Sequence, residues 1–182
     1  MTRFFDFLFS LIGLLFLCPL LSLLYILGHL DTGSPIFRQV RVGKGKKPFS
    51  LLKFRSMNLN APSVATHLAK ATYITSYGHF LRRSKLDELP QLWNVFVGEM
   101  SLVGPRPNLY SQIDLIVERE VRGVYTVRPG ITGLAQINGI DMSTPVLLAE
   151  TDEKMINELN IFRYFKYIFH TVFGKGFGDR IK

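Results

Sequence analysis

The N-terminal segment from Phe7 to Leu30 constrains this chain most, because it is dominated by leucine, isoleucine and phenylalanine and carries no formal charge. A run of this length can cross the hydrocarbon core of a bilayer once as an α-helix. A cleaved signal peptide fits less well, since the apolar run is long and no small-residue cleavage site follows it. The chain is therefore expected to be anchored in a membrane.

Pro19 divides this apolar segment into halves of about twelve residues, each about 18 Å long as a helix and too short for a core of about 30 Å. A kinked single span and a re-entrant hairpin both satisfy the pattern. Cations flank the segment on both sides, with Arg3 before it and Arg38, Arg41, Lys44, Lys46 and Lys47 after it. Because cytoplasmic loops are enriched in cations, we favour a re-entrant hairpin over residues 1–31 and keep the kinked span as the alternative.

The rest of the chain, residues 32–182, is long enough for one small domain with its own core. The net charge of +8 and the isoelectric point near 9.7 indicate an anionic partner: nucleic acid, an acidic membrane surface or a phosphorylated substrate. Cys18 is the only cysteine, which excludes an intrachain disulfide and a cysteine-based metal cluster.

Short strands and longer helical patterns alternate in this domain and predict an α+β fold that is rich in helices. A strand over 34–42, a basic turn over 43–47 and a return strand over 49–57 form the first unit, whose cations are assigned to a solvated face. A weak helical pattern covers 64–73, and a clearer one covers 109–121.

The last predicted helix, residues 152–173, carries apolar side chains at three- and four-residue steps. They are Met155, Leu159, Phe162, Phe165, Phe169 and Val172. Such a stripe is typical of a core-facing helix, and beside a membrane segment it also fits an interfacial helix. In the middle of the chain, Trp93, Val95, Phe96 and Val97 are expected to lie in the core.

The sequence RRSKLDELPQLWNV, residues 82–95, places two adjacent carboxylates after three cations and before an apolar run. Pro90 is tolerated in the first turn of a helix, which predicts a helix that begins close to Asp87. At such an end, free backbone N–H groups and the helix dipole favour anions, including phosphate. Asp87 and Glu88 would also be compatible with ordinary helix capping, so neighbouring motifs must decide between the two interpretations.

Two further motifs contain stiff turns with arginines. GEMSLVGPRP at 98–107 predicts a strand that leads to Arg106 between two prolines, and RPGITGLAQING at 128–139 begins with Arg128. Together with LDELPQLWNV at 86–95, these motifs resemble the bacterial sugar transferases that are monotopic phosphoglycosyl transferases. The resemblance runs from about residue 3 to about residue 172, and three long motifs in the same order make it specific.

The resemblance implies a role for individual side chains. It implies that Asp87 is a nucleophile, that Glu88 is its partner in a catalytic dyad, and that Mg²⁺ is a cofactor with Asp87 as its first ligand. Phosphate-binding arginines are implied at Arg82 and Arg106, and Arg128 is a weaker assignment.

The chain also departs from the family pattern at several positions. Pro19 matches the proline that breaks the family's re-entrant helix, but Cys18 stands where the family has serine. Ile140 replaces an arginine that many relatives carry, which indicates a different sugar specificity. Leu134 and Glu99 replace a tryptophan and an aspartate, and both changes are expected to be structural.

By resemblance, the protein lies on the cytoplasmic face of the bacterial inner membrane, transfers a sugar 1-phosphate from a UDP-sugar to undecaprenyl phosphate, and releases UMP. A covalent phosphosugar–aspartate intermediate and the start of surface glycan assembly are part of this expectation. Because the chain starts at the hairpin, a minimal form of the family is expected. The alternative is a non-catalytic, basic, membrane-tethered binding module; nucleic acid is not the expected partner, since the cations lie beside an apolar anchor.

Overall fold

The structure is a computed structural model that describes residues 2–61 and 71–173. Most of the helix predicted over 64–73 therefore lies outside the described residues. The described chain combines helices with two small sheets, in agreement with the predicted α+β class. In chain order the elements are α1 (Thr2–Phe16), α2 (Cys18–Thr32), β1 (Ile36–Val42), β2 (Pro48–Phe54), α3 (Ser76–Ser84), α4 (Gln91–Val97), β3 (Ser101–Val103), α5 (Ile113–Val121), β4 (Gly130–Thr132), α6 (Leu134–Ile137), α7 (Pro145–Glu158) and α8 (Ile161–Val172).

The apolar segment forms the two helices α1 and α2, which meet at Leu17 with a bend of 64°. Pro19 lies in the first turn of α2, where a missing backbone N–H leaves no helical hydrogen bond unmade. Gly33 ends α2 in a left-handed conformation, with φ of 73°. By length and composition, no single helix of the described chain can span a membrane. Taken together, the bent pair of α1 and α2 is long and apolar enough to do so.

Asp6 joins the first apolar helix to the rest of the protein. Its Oδ1 accepts hydrogen bonds from the Ser101 hydroxyl at 2.9 Å, the Leu102 backbone N–H at 2.8 Å and the Tyr164 hydroxyl at 2.8 Å. Burial, and secondly the hydrogen bond to Asp6, raises the pKa of Tyr164. These bonds connect α1 to β3 and α8, so the apolar segment packs as part of the domain.

Arg3 has a related role at the end of α4. Its guanidinium donates to the carbonyls of Val95 and Phe96 at 2.5 and 2.8 Å. Carbonyls in the last turn of a helix have no partner within the helix and favour a cation. The cation that flanks the apolar segment in the sequence therefore also fixes α1 against α4.

The strands β1 and β2 form the antiparallel hairpin that the alternating sequence predicts, with Gln39 opposite Leu51 and Arg41 opposite Phe49. Residues two apart in a strand share a face. The face that carries Phe49 and Leu51 packs against Val95 of α4, so Gln39 and Arg41 are buried with it. The assignment of all hairpin cations to a solvated face is therefore wrong.

The parallel pair β3–β4 brings the second and third motifs together, with Ser101 opposite Gly130. A Cβ atom at Gly130 would lie 2.0 Å from the backbone nitrogen of Gly104, and one at Gly104 would lie 2.5 Å from the Arg128 carbonyl oxygen. Both glycines are needed because the two backbones approach too closely for any side chain. This crossing sets the start of the loop that carries Arg106.

The C-terminal region differs from the single helix predicted over 152–173. It forms α7 and α8, because the Asn160 side chain accepts a hydrogen bond from the Arg163 N–H at 3.0 Å and starts a new helix. Of the predicted stripe, Met155 is buried, whereas Phe162, Phe169 and Val172 are 84%, 58% and 73% exposed. The core interpretation is therefore wrong for the α8 part of the stripe.

The prediction of core residues in α4 is correct for only part of the helix. Val95 is fully buried, but Trp93 and Val97 are 50% and 48% exposed. A helix of seven residues packs one face against β2 and leaves the opposite face open, which explains the difference. A further side of α4 packs against α1, where the Phe96 ring stacks on Phe7 at 5.1 Å.

Candidate active site

The carboxylate pair lies in a tight connection between α3 and α4. Lys85 adopts a left-handed conformation with φ of 58° and ends α3, and Leu86–Glu88 form one 3-10 turn. The helix α4 then begins at Gln91, directly after Pro90. A short helix thus begins close to Asp87, as predicted, but it is a single 3-10 turn, and the α-helix itself begins four residues after Asp87.

Both carboxylates of the pair are largely removed from solvent. Asp87 is 4% exposed, and the Glu88 side chain is 14% exposed. Glu88 Oε1 accepts hydrogen bonds from Lys53 Nζ at 3.0 Å and from Arg106 Nη2 at 2.8 Å. Ordinary helix-capping acids are solvent-exposed and carry no such partners, so this geometry favours a functional pair over simple caps.

Lys53 was not identified from the sequence as a site residue. It lies on β2 in phase with Phe49 and Leu51, and its side chain is 11% exposed. The alternation of the strand could have indicated this, since a cation two residues from a buried leucine shares its face. The site thus contains two neighbouring cations on one carboxylate oxygen, one from a strand and one from a loop.

A small cavity of about 10 Å³ lies beside this ion pair. It is lined by Arg41, Leu51, Lys53, Gln91, Arg106, Pro107 and Gly130. Arg41, also missed in the sequence, donates to the Pro107 carbonyl at 3.1 Å and to Gln39 Oε1 at 2.6 Å. Three cations therefore line this space, two of which also contact Glu88, and the space is about large enough for one water molecule.

Arg82 lies in the last turn of α3, just before the carboxylate turn. Its Nε donates to the Ser56 hydroxyl at 2.8 Å. Its Nη1 is buried and has no hydrogen-bond acceptor within residues 2–61 and 71–173. A buried guanidinium N–H without an acceptor is unfavourable, and a phosphate oxygen is a strong acceptor for it.

Arg128 has a different position from the other predicted arginines. Its Nε donates to the Gly98 carbonyl at 2.7 Å, at the C-terminal end of α4. The carboxylate turn precedes the N-terminal end of the same helix, which is about 10 Å long. Glu88 therefore contacts Arg106 and Lys53 near the N-terminal end of α4. The guanidinium of Arg128 is bound instead at the C-terminal end of the same helix.

Asn94 is a further residue that the sequence analysis did not single out. Its Oδ1 accepts from the Leu52 N–H at 3.0 Å, and its Nδ2 donates to the Ser50 carbonyl at 2.8 Å and to Glu99 Oε2 at 2.6 Å. These bonds fasten the free edge of β2 to α4. Lys53 is the next residue along the strand after Leu52. Asn94 thereby helps to hold Lys53 within hydrogen-bonding distance of Glu88.

Two of the positions that depart from the family pattern, Ile140 and Leu134, have packing roles. Ile140 contacts the buried cluster of Leu115, Ala135 and Leu148 between α5, α6 and α7. Leu134 packs against the cluster that contains Met155. At position 140, a hydrophobic contact stands where the family resemblance implies an arginine.

The donor set also bears on a metal ion. Among the described residues, no three histidine, cysteine, aspartate or glutamate side chains lie close enough to form a metal cage. Mg²⁺ in phosphate-processing sites is commonly held by one or two carboxylates together with substrate phosphates. Asp87, directly before the Glu88 carboxylate that contacts Lys53 and Arg106, is the candidate carboxylate for such a metal.

Comparison with known proteins agrees with the resemblance to bacterial sugar transferases. The model of the family described as bacterial sugar transferase matches residues 1–176. A UDP-galactose-lipid carrier transferase of Erwinia amylovora is 39% identical over 159 residues, which cover 76% of this chain and 33% of that protein. A UDP-glucose:undecaprenyl-phosphate glucose-1-phosphate transferase of Escherichia coli K12 is 38% identical over 186 residues, which cover 96% of this chain and 40% of that protein.

A third relative, an uncharacterized sugar transferase (EpsL) of Bacillus subtilis, is 44% identical over 137 residues. That alignment covers 72% of this chain and 67% of the relative. The chain thus spans between 33% and 67% of the length of these three relatives. Since the family model matches nearly the whole chain, the protein belongs to the bacterial sugar transferase family.

Proposed function

We propose that this protein is a phosphoglycosyl transferase that moves a sugar 1-phosphate from a UDP-sugar to undecaprenyl phosphate and releases UMP. The observation that carries the proposal is the buried Asp87 next to the largely buried Glu88, whose carboxylate accepts hydrogen bonds from Lys53 and Arg106. The relative from Escherichia coli is named as a transferase of this donor and acceptor class, which supports the choice of substrates.

The reaction proceeds through two displacements at one phosphorus atom. The Asp87 carboxylate attacks the phosphorus that carries the sugar, and the bond from this phosphorus to the bridging oxygen breaks. UMP leaves with the bonding electron pair, and an acyl-phosphate links the sugar phosphate to Asp87. A phosphate oxygen of undecaprenyl phosphate then attacks the same phosphorus and expels the carboxylate, which gives a lipid diphosphate sugar.

Every species in this reaction is anionic, so the site must stabilise negative charge. Lys53 and Arg106 are already held by Glu88, and such preorganised cations stabilise charge that develops on phosphate oxygens. The buried Arg82 Nη1 is a further donor for a phosphate oxygen. When bound, Mg²⁺ would screen the diphosphate and stabilise the leaving UMP, and Asp87 is the first protein ligand that we assign to it.

We assign the protein to the cytoplasmic face of the bacterial inner membrane, and its exposed apolar surfaces support a location at a membrane. In this proposal residues 1–31, which cover α1 and nearly all of α2, form a re-entrant hairpin in the bilayer. The helix α8 lies in the interface, since it exposes Phe162 and Phe169 beside Lys166 and His170. The acceptor is a lipid, so a site that is fixed to such helices can receive it without leaving the membrane.

The experiment that tests the proposal measures UMP release from a panel of UDP-sugars with Mg²⁺ and undecaprenyl phosphate. We compare the wild type with Asp87→Asn, and with Asp114→Asn as a matched control. Asp114 is an exposed aspartate in the first turn of α5. Loss of the nucleophile is expected to lower turnover by about 10⁴-fold or more, and the control is expected to keep full activity.

Two other outcomes would refute parts of the proposal. Equal turnover by wild type and Asp87→Asn would show that Asp87 is not the nucleophile. Binding of UDP-sugars without UMP release from any of them would favour the alternative, a non-catalytic membrane-tethered binding module.

A further inference from the structure

The loop that carries Arg106 is held through its backbone carbonyls. The Pro105 carbonyl accepts from the Gly130 N–H at 2.8 Å, the Arg106 carbonyl from Arg119 Nη1 at 2.8 Å, and the Pro107 carbonyl from Arg41 Nη1 at 3.1 Å. Two of the three residues are prolines, which offer no backbone N–H. The loop can therefore be fixed mainly through its carbonyls, and each of them has a donor.

Arg119 is the central donor of this arrangement and lies on α5. It is 1% exposed, and its guanidinium makes further hydrogen bonds to Asn108 Oδ1 at 2.9 Å and to Asp152 Oδ2 at 2.7 and 3.1 Å. Asp152, on α7, is fully buried, and burial raises the pKa of its carboxyl while Arg119 opposes this shift. The guanidinium thus connects α5, α7 and the loop in one plane.

Stability alone does not explain an arginine at this position. A buried ion pair can often be replaced by apolar residues of similar volume without loss of stability. The guanidinium differs from any apolar group, and from lysine, because its planar donors reach a carboxylate, an amide and a carbonyl at the same time. The contact that only this group supplies to the site is the bond to the Arg106 carbonyl.

We propose that Arg119 is a positioning residue, which holds the Arg106 backbone so that the Arg106 guanidinium meets Glu88 and the donor phosphate. The proposal rests on the proposed function for the identity of the substrate. Arg119 itself is buried and reaches the reaction only through Arg106. Its effect must therefore depend on the side chain at position 106.

The test is a double-mutant cycle on kcat/KM for the UDP-sugar, with Arg119→Lys, Arg106→Lys and the double variant. Lysine at 119 keeps a charge for Asp152, but its single nitrogen cannot also hold the Arg106 carbonyl. Arg119→Lys is expected to lower kcat/KM by about 10- to 100-fold in the wild type, and by less than about threefold in the Arg106→Lys background.

Arg122→Lys is the matched control. Arg122 follows α5 directly and pairs with Glu118 of α5 and with Glu150 and Glu153 of α7. Like Arg119, it therefore connects α5 with α7. The hydrogen bonds and ion pairs of Arg122 go to these three glutamates, whereas Arg119 also donates to the Arg106 carbonyl of the loop. Its substitution is expected to leave kcat/KM within about twofold of the wild type, as for most changes at partly exposed ion pairs.

The outcomes separate positioning from a general structural role. Losses that multiply in the double variant, or full activity of Arg119→Lys, would overturn the proposal. If Arg119→Lys does not fold, the paired change Arg119→Met with Asp152→Leu removes both buried charges and replaces it in the cycle. A wild type that releases no UMP refutes the proposed function instead, and the same cycle is then read from UDP-sugar affinity.

Discussion

Tyr164→Phe tests how firmly the apolar helix α1 is fastened to the domain. The substitution removes one hydroxyl that donates to Asp6 Oδ1 at 2.8 Å, and it leaves the ring in place. Asp6 is 2% exposed and Tyr164 is fully buried, so water cannot replace the lost donor. Asp6 keeps its bonds from Ser101 and Leu102, which limits the effect to one interaction.

The expected magnitude follows from the charge of the acceptor. A hydrogen bond to a charged group contributes about 1.5 to 3 kcal/mol to the free energy of unfolding. For a chain of this size, each kcal/mol shifts the melting temperature by about 2 to 4 °C, so Tyr164→Phe should lower it by about 3 to 12 °C. Tyr110→Phe removes a hydroxyl that donates to the Lys46 carbonyl at an exposed position, and it should cost about 0.5 kcal/mol.

The assay is thermal unfolding of both variants in the same detergent at pH 8, followed by tryptophan fluorescence. A melting temperature for Tyr164→Phe that equals the one for Tyr110→Phe would refute the reasoning, because burial of the acceptor would then have no measurable effect. The result would also mean that the Tyr164 hydroxyl does not contribute to holding α1.

Three further predictions concern pH, the site and the membrane. Because the pKa of Tyr164 is raised in the folded protein, its contribution is complete below the unfolded value of about 10 and is lost as pH rises above it. The stability difference between wild type and Tyr164→Phe should therefore shrink above pH 10 in thermal melts; a constant difference contradicts this. Glu88→Gln should lower kcat/KM by about 100-fold, since its cations lose their shared carboxylate, and activity within threefold of wild type would refute that role. With Trp93→Phe as background, brominated lipids should quench Phe169→Trp but not Val121→Trp; equal quenching contradicts an interfacial α8.

Local features of the chain were predictable because they depend on neighbours in sequence. The antiparallel hairpin of β1 and β2 follows from alternating side chains around a basic turn, and the structure confirms it. The division of the apolar segment into two helices follows from the effect of Pro19 on backbone hydrogen bonding. The close crossing at Gly104 and Gly130, by contrast, joins distant segments and was not predicted from the sequence.

Errors arose where burial depends on what packs against a face. Lys53 and Arg41 looked like solvated cations, but the hairpin lies on α4 with that face inward. Trp93 looked like a core residue, but a helix as short as α4 contacts β2 with one side only. The break at Asn160 was missed because the apolar periodicity continues from α7 into α8. Only the hydrogen bond from the Arg163 N–H to the Asn160 side chain marks the start of a new helix.

By itself the sequence determined the apolar segment, the α+β class, the order of the motifs and the candidate residues Asp87, Glu88, Arg82 and Arg106. These depend on composition, periodicity and family pattern. Only the tertiary structure decided that Lys53 shares the Glu88 oxygen with Arg106, although 35 positions separate Lys53 from Glu88. It also decided that Tyr164 bonds Asp6 across 158 positions. The physical reason is that desolvation and the final packing of distant segments set the energy of such contacts, and neither is encoded in local sequence.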